Sequence, residues 1–164
     1  MKRGFTLVEL VVSVTLILLL TGIGVTSFAS LLKSRRVGTV KSEISTWVSL
    51  SRNLAITGQL PSKQLGLKFV RMTFTSNNFT AVGVREDGTV ESPAFFVKSY
   101  SENLDSSDIS VSVSNGGSFG FNKGSGRLVD TNGNFIDGPV VIDIESEGTT
   151  DSIRINDLGI IDGR

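Results

Sequence analysis

From Leu10 to Leu32 the chain carries no charged residue. The run is longer than the roughly 20 residues that cross a hydrocarbon core as helix, so it predicts a membrane segment. Lys2 and Arg3 precede it and Lys33, Arg35 and Arg36 follow it, which leaves orientation open on charge bias alone. Beyond the run, Val37, Val40, Ile44, Trp47 or Val48, and Leu54 recur at three- and four-residue spacing, the stripe of an amphipathic helix. The simplest expectation is one helix from about Phe5 to about Thr57, ended by Gly58 and followed by Pro61. At 1.5 Å per residue it would be roughly 80 Å long. Gly22 and Gly24 either loosen it in mid-run or admit close packing of a second helix.

After Pro61 the period drops to two. Short alternating runs occur at Leu65–Phe69, Met72–Phe74, Phe79–Val82, Thr89–Val90, Ile109–Val113, Ser118–Phe121, Arg127–Val129, Val140–Ile144, Ser152–Ile155 and Ile160–Ile161, and they read as strands. Asn77-Asn78, Asp87-Gly88 and Asn115-Gly116-Gly117 supply hairpin turns between them. A meandering antiparallel sheet is expected, with one face on the helix stripe, which makes an α+β domain.

Composition narrows the chemistry. The 164 residues suffice for one modest domain plus an extension. Sixteen basic residues balance sixteen acidic ones, so no excess charge argues for nucleic acid or acidic substrates. The chain has no cysteine and no histidine, which removes thiolate chemistry, the commonest general base and the best zinc ligand. An enzyme is not expected.

Glu9 sits inside Phe-Thr-Leu-Val-Glu-Leu-Val-Val, where a carboxylate at the edge of an apolar run costs a few kcal/mol unless partnered. The bland alternative places it at headgroup depth, facing water. Residues 1–9, Met-Lys-Arg-Gly-Phe-Thr-Leu-Val-Glu, resemble the type IV prepilin leader: a basic stub, a glycine, an aromatic residue, then a glutamate ahead of a hydrophobic helix. The resemblance implies cleavage between Gly4 and Phe5 by prepilin peptidase and N-methylation of Phe5. It also implies that Glu9 serves assembly, its charge meeting the amino terminus of a neighbouring subunit. The proline common near Thr26 in major pilins is absent, which hints at a minor subunit. A secretory signal is the rival reading, because Ser27-Phe28-Ala29 imitates a signal-peptidase site and would give a chain starting at Ser30.

Phe119-Gly-Phe-Asn-Lys-Gly-Ser-Gly, Val140–Ile144 and the run from Ser152 to Ile161 look like the GspH/FimT branch of pseudopilins and minor pilins. Some FimT-like pilins bind DNA through a C-terminal glycine-arginine-x-arginine motif, which aligns here with Gly159-Ile-Ile-Asp162. Both arginines are missing, and Asp151, Asp157 and Asp162 flank Arg154 and Arg164, so nucleic acid is not an expected partner. Asp130, Asn132, Asn134 and Asp137 place oxygen atoms at the alternation of a calcium loop. They lack its turn glycine and bidentate glutamate, so an Asx-rich turn is the stronger reading and no cofactor is expected beyond a weak calcium candidate. Lys33, Arg35 and Arg36 read as lipid anchoring, and Phe95, Phe96 and Tyr100 as core.

The expected organisation is a leader at 1–4, a transmembrane and assembly helix at 5–32, its amphipathic continuation at 33–58 and a β-rich head at 59–164. The fold class is α+β, pilin-like, a long membrane-spanning helix packed on an antiparallel β-rich head. The resemblance implies a minor pilin or pseudopilin of a type IV pilus or type II secretion pseudopilus. Its partners would be prepilin peptidase, other pilin subunits and, before assembly, membrane lipid. It would reside in the inner membrane with its head outside the cytoplasm, then in the filament. A tip-located subunit for DNA uptake or adhesion is the alternative.

Overall fold

A computed structural model describes residues 6–58, 66–75, 78–100 and 109–162, without the side chains at 23–27, 29 and 30. The chain divides into two compact units, Met1–Arg35 and Arg36–Arg164. Helix α1 runs Leu7–Thr57. It ends where the sequence predicts. The Gly58 N–H donates to the Leu54 carbonyl at 2.9 Å with a φ of 62°, the left-handed cap that glycine adopts without strain. Gly124 N–H satisfies a further terminal carbonyl, that of Ala55, at 3.1 Å.

In the first unit the apolar residues of α1 lie on every side of the helix. Leu7, Val8, Leu10, Val11, Val12, Leu16 and Leu18 are all more than half exposed. The interspersed hydroxyls turn inward on the backbone: Ser13 donates to the Glu9 carbonyl at 2.7 Å and Thr15 to the Val11 carbonyl at 2.8 Å, so neither needs water. Among the described residues no helix is long and apolar enough to cross a membrane. The expected span, Leu10 to Leu32, includes the seven side chains outside the described set.

In the second unit α1 buries Val37, Val40, Ile44, Val48 and Ala55; the first four follow the stripe legible in the sequence, while Leu54, expected to end it, is half-buried against the core and Ala55 takes the buried position. These pack in one core with residues of eight strands: β1 Leu67–Phe74, β2 Asn78–Arg85, β3 Phe96–Ser99, β4 Ile109–Val113, β5 Ser118–Asn122, β6 Leu128–Val129, β7 Val140–Ser146 and β8 Thr149–Ile155. All the pairings are antiparallel. Phe74, Phe79 and Phe119 stack with centroids under 6 Å apart, and Tyr100 stacks on Phe79. Trp47 of α1 lies 4.7 Å from Phe96. The Phe95–Tyr100 stretch therefore joins the core, as its composition suggests, though the sequence did not mark β3 as a strand.

The single meander expected from the sequence is corrected to two sheets. One has the order β3-β2-β1-β5-β6 and the other β4-β7-β8. The Asn115-Gly116-Gly117 turn does not close a hairpin. β4 pairs with β7, and the ladder continues through Ser114 N–H to the Val141 carbonyl at 2.9 Å. After the turn, Gly117 accepts from Phe74 N–H at 2.8 Å and β5 pairs with β1. The reason lies in the faces. Ile109 on β4 and Ile142 and Ile144 on β7 bury together with Val37, Val40 and Ile44, an arrangement that pairing β4 with β5 would forgo. Asp87-Gly88 does make its hairpin, with Arg85 N–H on the Thr89 carbonyl at 2.9 Å.

A second, smaller cluster of Phe69, Val84 and Val129 covers the opposite face of the larger sheet. A register irregularity between Leu67 and Phe69 lets Leu67 join the main core while Phe69 points the other way.

Candidate functional site

The site is the start of α1. Gly4 and Phe5, the expected processing residues, lie outside the described residues. Thr6 and Glu9 do not. Thr6 N–H donates to Glu9 Oε2 at 3.0 Å, Thr6 Oγ1 donates to the same oxygen at 2.9 Å, and Glu9 N–H donates to Thr6 Oγ1 at 3.3 Å. This is a reciprocal capping box: a threonine N-cap and a glutamate three residues on satisfy each other's backbone donors. Carboxylates are also favoured at this end of a helix by the macrodipole. The geometry holds the Glu9 carboxylate against the second residue after the expected cut, at the helix end where a new amine would be produced. It uses only Thr6 and Glu9, and so draws on nothing in residues 1–4.

Residues 1–25 match the prokaryotic N-terminal methylation motif. No curated protein and no solved structure matches the chain. The motif indicates a type IV pilin-like substrate of prepilin peptidase. It implies inner-membrane anchoring before assembly, and assembly with other pilins. The described fold, an N-terminal helix and an antiparallel β head, is consistent with a pilin.

Thr6 is not among the residues singled out from the sequence, although its signal is there in the Thr-x-x-Glu spacing that opens an apolar helix.

Asp130, Asn132 and Asn134 come together in one loop. The Asp130 carboxylate accepts Asn132 N–H and Asn134 N–H, both at 2.8 Å, and the Asn134 side-chain amide at 3.1 Å. Both carboxylate oxygens are thus bonded within the loop, in the manner of an Asx turn. Desolvation pushes the Asp130 carboxyl up, but the donors from Asn134, Asn132 and Gly133 outweigh it and leave the group below the usual aspartate range. Among the described residues no three acidic side chains gather as a metal set, and the loop's hydrogen bonds join Asp130, Asn132 and Asn134 without Asp137. The loop has a packing role. A Cβ at Gly133 would stand 3.0 Å from Phe69, and one at Gly120 would stand 2.8 Å from it. The Phe69 ring is held between two glycines, one in this loop and one on β5. Lys68 Nζ ties the loop down through the Asn132 carbonyl at 3.2 Å.

At the terminal turn, Asn156 Oδ1 accepts Leu158 N–H at 3.1 Å and Ile160 N–H at 3.0 Å. Gly159 to Asp162 therefore form a tight turn and return. Arg154 Nε lies 3.7 Å from the Asp162 carboxylate and Arg127 lies 3.9 Å from that of Asp157. These described arginines sit beside acids, which weakens any field for phosphate.

Proposed function

We propose that this chain is a structural subunit, a minor pilin or pseudopilin, of a type IV pilus or type II secretion pseudopilus. It is cut between Gly4 and Phe5, methylated on Phe5, and anchored by Leu10 to Leu32 in the inner membrane with its head outside the cytoplasm. It then enters the filament through the same helix. Glu9 pairs with the amino terminus of an adjacent subunit, and the head is structural, without catalytic or calcium chemistry.

The observation that carries this reading is the methylation motif over residues 1–25, which overlaps the first part of a helix that exposes leucine and valine on all sides. A helix apolar all round is stable only when surrounded by lipid or by other helices. The backbone and hydroxyl groups within it bond internally, as an apolar surrounding demands. The capping box adds chemical sense. Glu9 Oε2 accepts two bonds from Thr6 of its own chain, yet a carboxylate retains further acceptor capacity on its other oxygen for a neighbour's ammonium.

Intact mass and N-terminal sequencing of the protein from its native membrane test the proposal. A chain beginning at N-methyl-Phe5 is expected. A chain beginning at Ser30 would mean signal-peptidase release and would end the filament reading.

A further inference from the structure

β8 lies at the edge of its sheet, and its sequence, Thr-Thr-Asp-Ser-Ile-Arg-Ile, is rich in β-branched residues. Such an edge is a template on which another strand can add. Its free side is identified by the backbone. Asp162 N–H donates to the Arg154 carbonyl at 2.8 Å, so Arg154 directs its backbone groups away from β7. Alternation along an antiparallel strand then puts the backbone groups of Ser152 and Thr150 on that same outer side.

The outer side borders a groove of about 280 Å³ between β8 and α1, lined by Lys41, Ser45, Ser152, Arg154 and Asp162 among others. Two devices occupy it. The returning chain covers Arg154, through the Ile155–Ile161 bridge and the Asp162 bond. The Asp151 carboxylate covers the next position: its Oδ1 accepts Ser152 N–H at 2.8 Å. The same oxygen accepts Lys41 Nζ from α1 at 2.7 Å. A lysine anchored on the helix thus holds an aspartate over the outward amide in the middle of the strand.

We propose that Lys41 and Asp151 form a guard on the outer edge of β8 that prevents a second copy of this chain from adding a strand there. The argument is local chemistry. An incoming strand needs the Ser152 N–H as a donor, and it would have to displace a carboxylate bonded to that amide and to an ammonium at once. The displaced aspartate and lysine would lose a charge-assisted contact as the strand arrived. A second copy is the natural occupant, because β8 exposed on two molecules offers each the same β-branched segment. The inference does not depend on the filament role.

The test compares full-length wild type, Asp151→Ala and Lys41→Met in the same detergent, by hydrogen exchange at Ser152 and by sedimentation velocity over a concentration series. In Asp151→Ala the Ser152 amide should exchange about tenfold faster at low concentration, as for loss of one hydrogen bond. At high concentration the variant should self-associate beyond wild type, with Ser152 protected again. Lys41→Met, which keeps the aspartate, should shift in the same direction by less. If Asp151→Ala loses its fold by circular dichroism, Lys41→Met carries the test. A folded variant that sediments as wild type at every concentration overturns the guard, as does association that leaves Ser152 unprotected.

Discussion

At the residue scale the molecule turns on a few close approaches. Gly120 on β5 has Phe119 and Phe121 buried on either side of it, and on its own face it leaves room for the Phe69 ring. A Cβ there would lie 2.8 Å from both Phe69 Cδ2 and the Val70 carbonyl oxygen, and 3.1 Å from Val129. Two of those neighbours belong to a buried cluster and one is backbone, so nothing cheap can move. Gly120→Ala should destabilise the fold by about 1–3 kcal/mol, read as a lower denaturant midpoint; an unchanged midpoint would mean the sheet opens there more easily than its packing implies. Asp130 gives a pH signature. Its folded-state pKa lies below the ordinary value, so its stabilising contribution is present above the unfolded pKa and is lost as pH falls through the folded one. The Asn132 and Asn134 amide resonances should therefore move in a single step below the ordinary aspartate range. In Asp130→Asn that step should vanish; if it remained, another group would be responsible for it.

At the scale of elements, α1 is one helix with two chemistries. Its later part presents a buried stripe and a polar remainder. Ile44 is fully buried in the main core whereas Leu50 is 39% exposed. Ile44→Ala should cost about 2–5 kcal/mol by transfer and cavity terms, and Leu50→Ala should stay within about 0.5 kcal/mol, both by chemical denaturation. Similar losses at both positions would refute the stripe. Its earlier part has no such asymmetry, and there the capping box sets the start. Glu9→Ala removes the acceptor for Thr6 N–H and Thr6 Oγ1. It should abolish incorporation into filaments while the melting temperature of the β-rich unit stays unchanged. A variant that still co-purifies with sheared filaments at the wild-type level would remove Glu9 from the assembly role. The loop at Asp130 is likewise an element with a packing function, closing over Phe69. Millimolar calcium should leave the thermal midpoint where it was; a rise of several degrees would point instead to a cation bound in the native state.

At the scale of the whole molecule, what could be read in advance was periodic or local. The three- and four-residue stripe from Val37 to Val48, the stop at Gly58, the alternation of β7 and β8 and the hairpin at Asp87-Gly88 all appear where the pattern puts them. Each is decided by neighbours in the chain, through helix and strand periods or turn geometry. The leader is local as well, and the methylation motif falls on it. Contacts between distant segments were a different matter. Nothing in the order of the strands announced that β4 would leave β5 to pair with β7, because either pairing satisfies the alternation and only the shared burial of Ile109, Ile142 and Ile144 against α1 chooses between them. The same holds for Phe69 between Gly120 and Gly133, and for Lys41 reaching an aspartate 110 residues away. The sequence by itself determined the helix, most of the strands and the processing signal, since these depend on residues within a turn or two of each other, whereas β3 took shape only in the fold. Tertiary structure alone decided the division into two sheets, the packing of the Asp130 loop over Phe69 and the cover on β8, since each joins residues far apart in the chain that local preference does not bring together and long-range burial does.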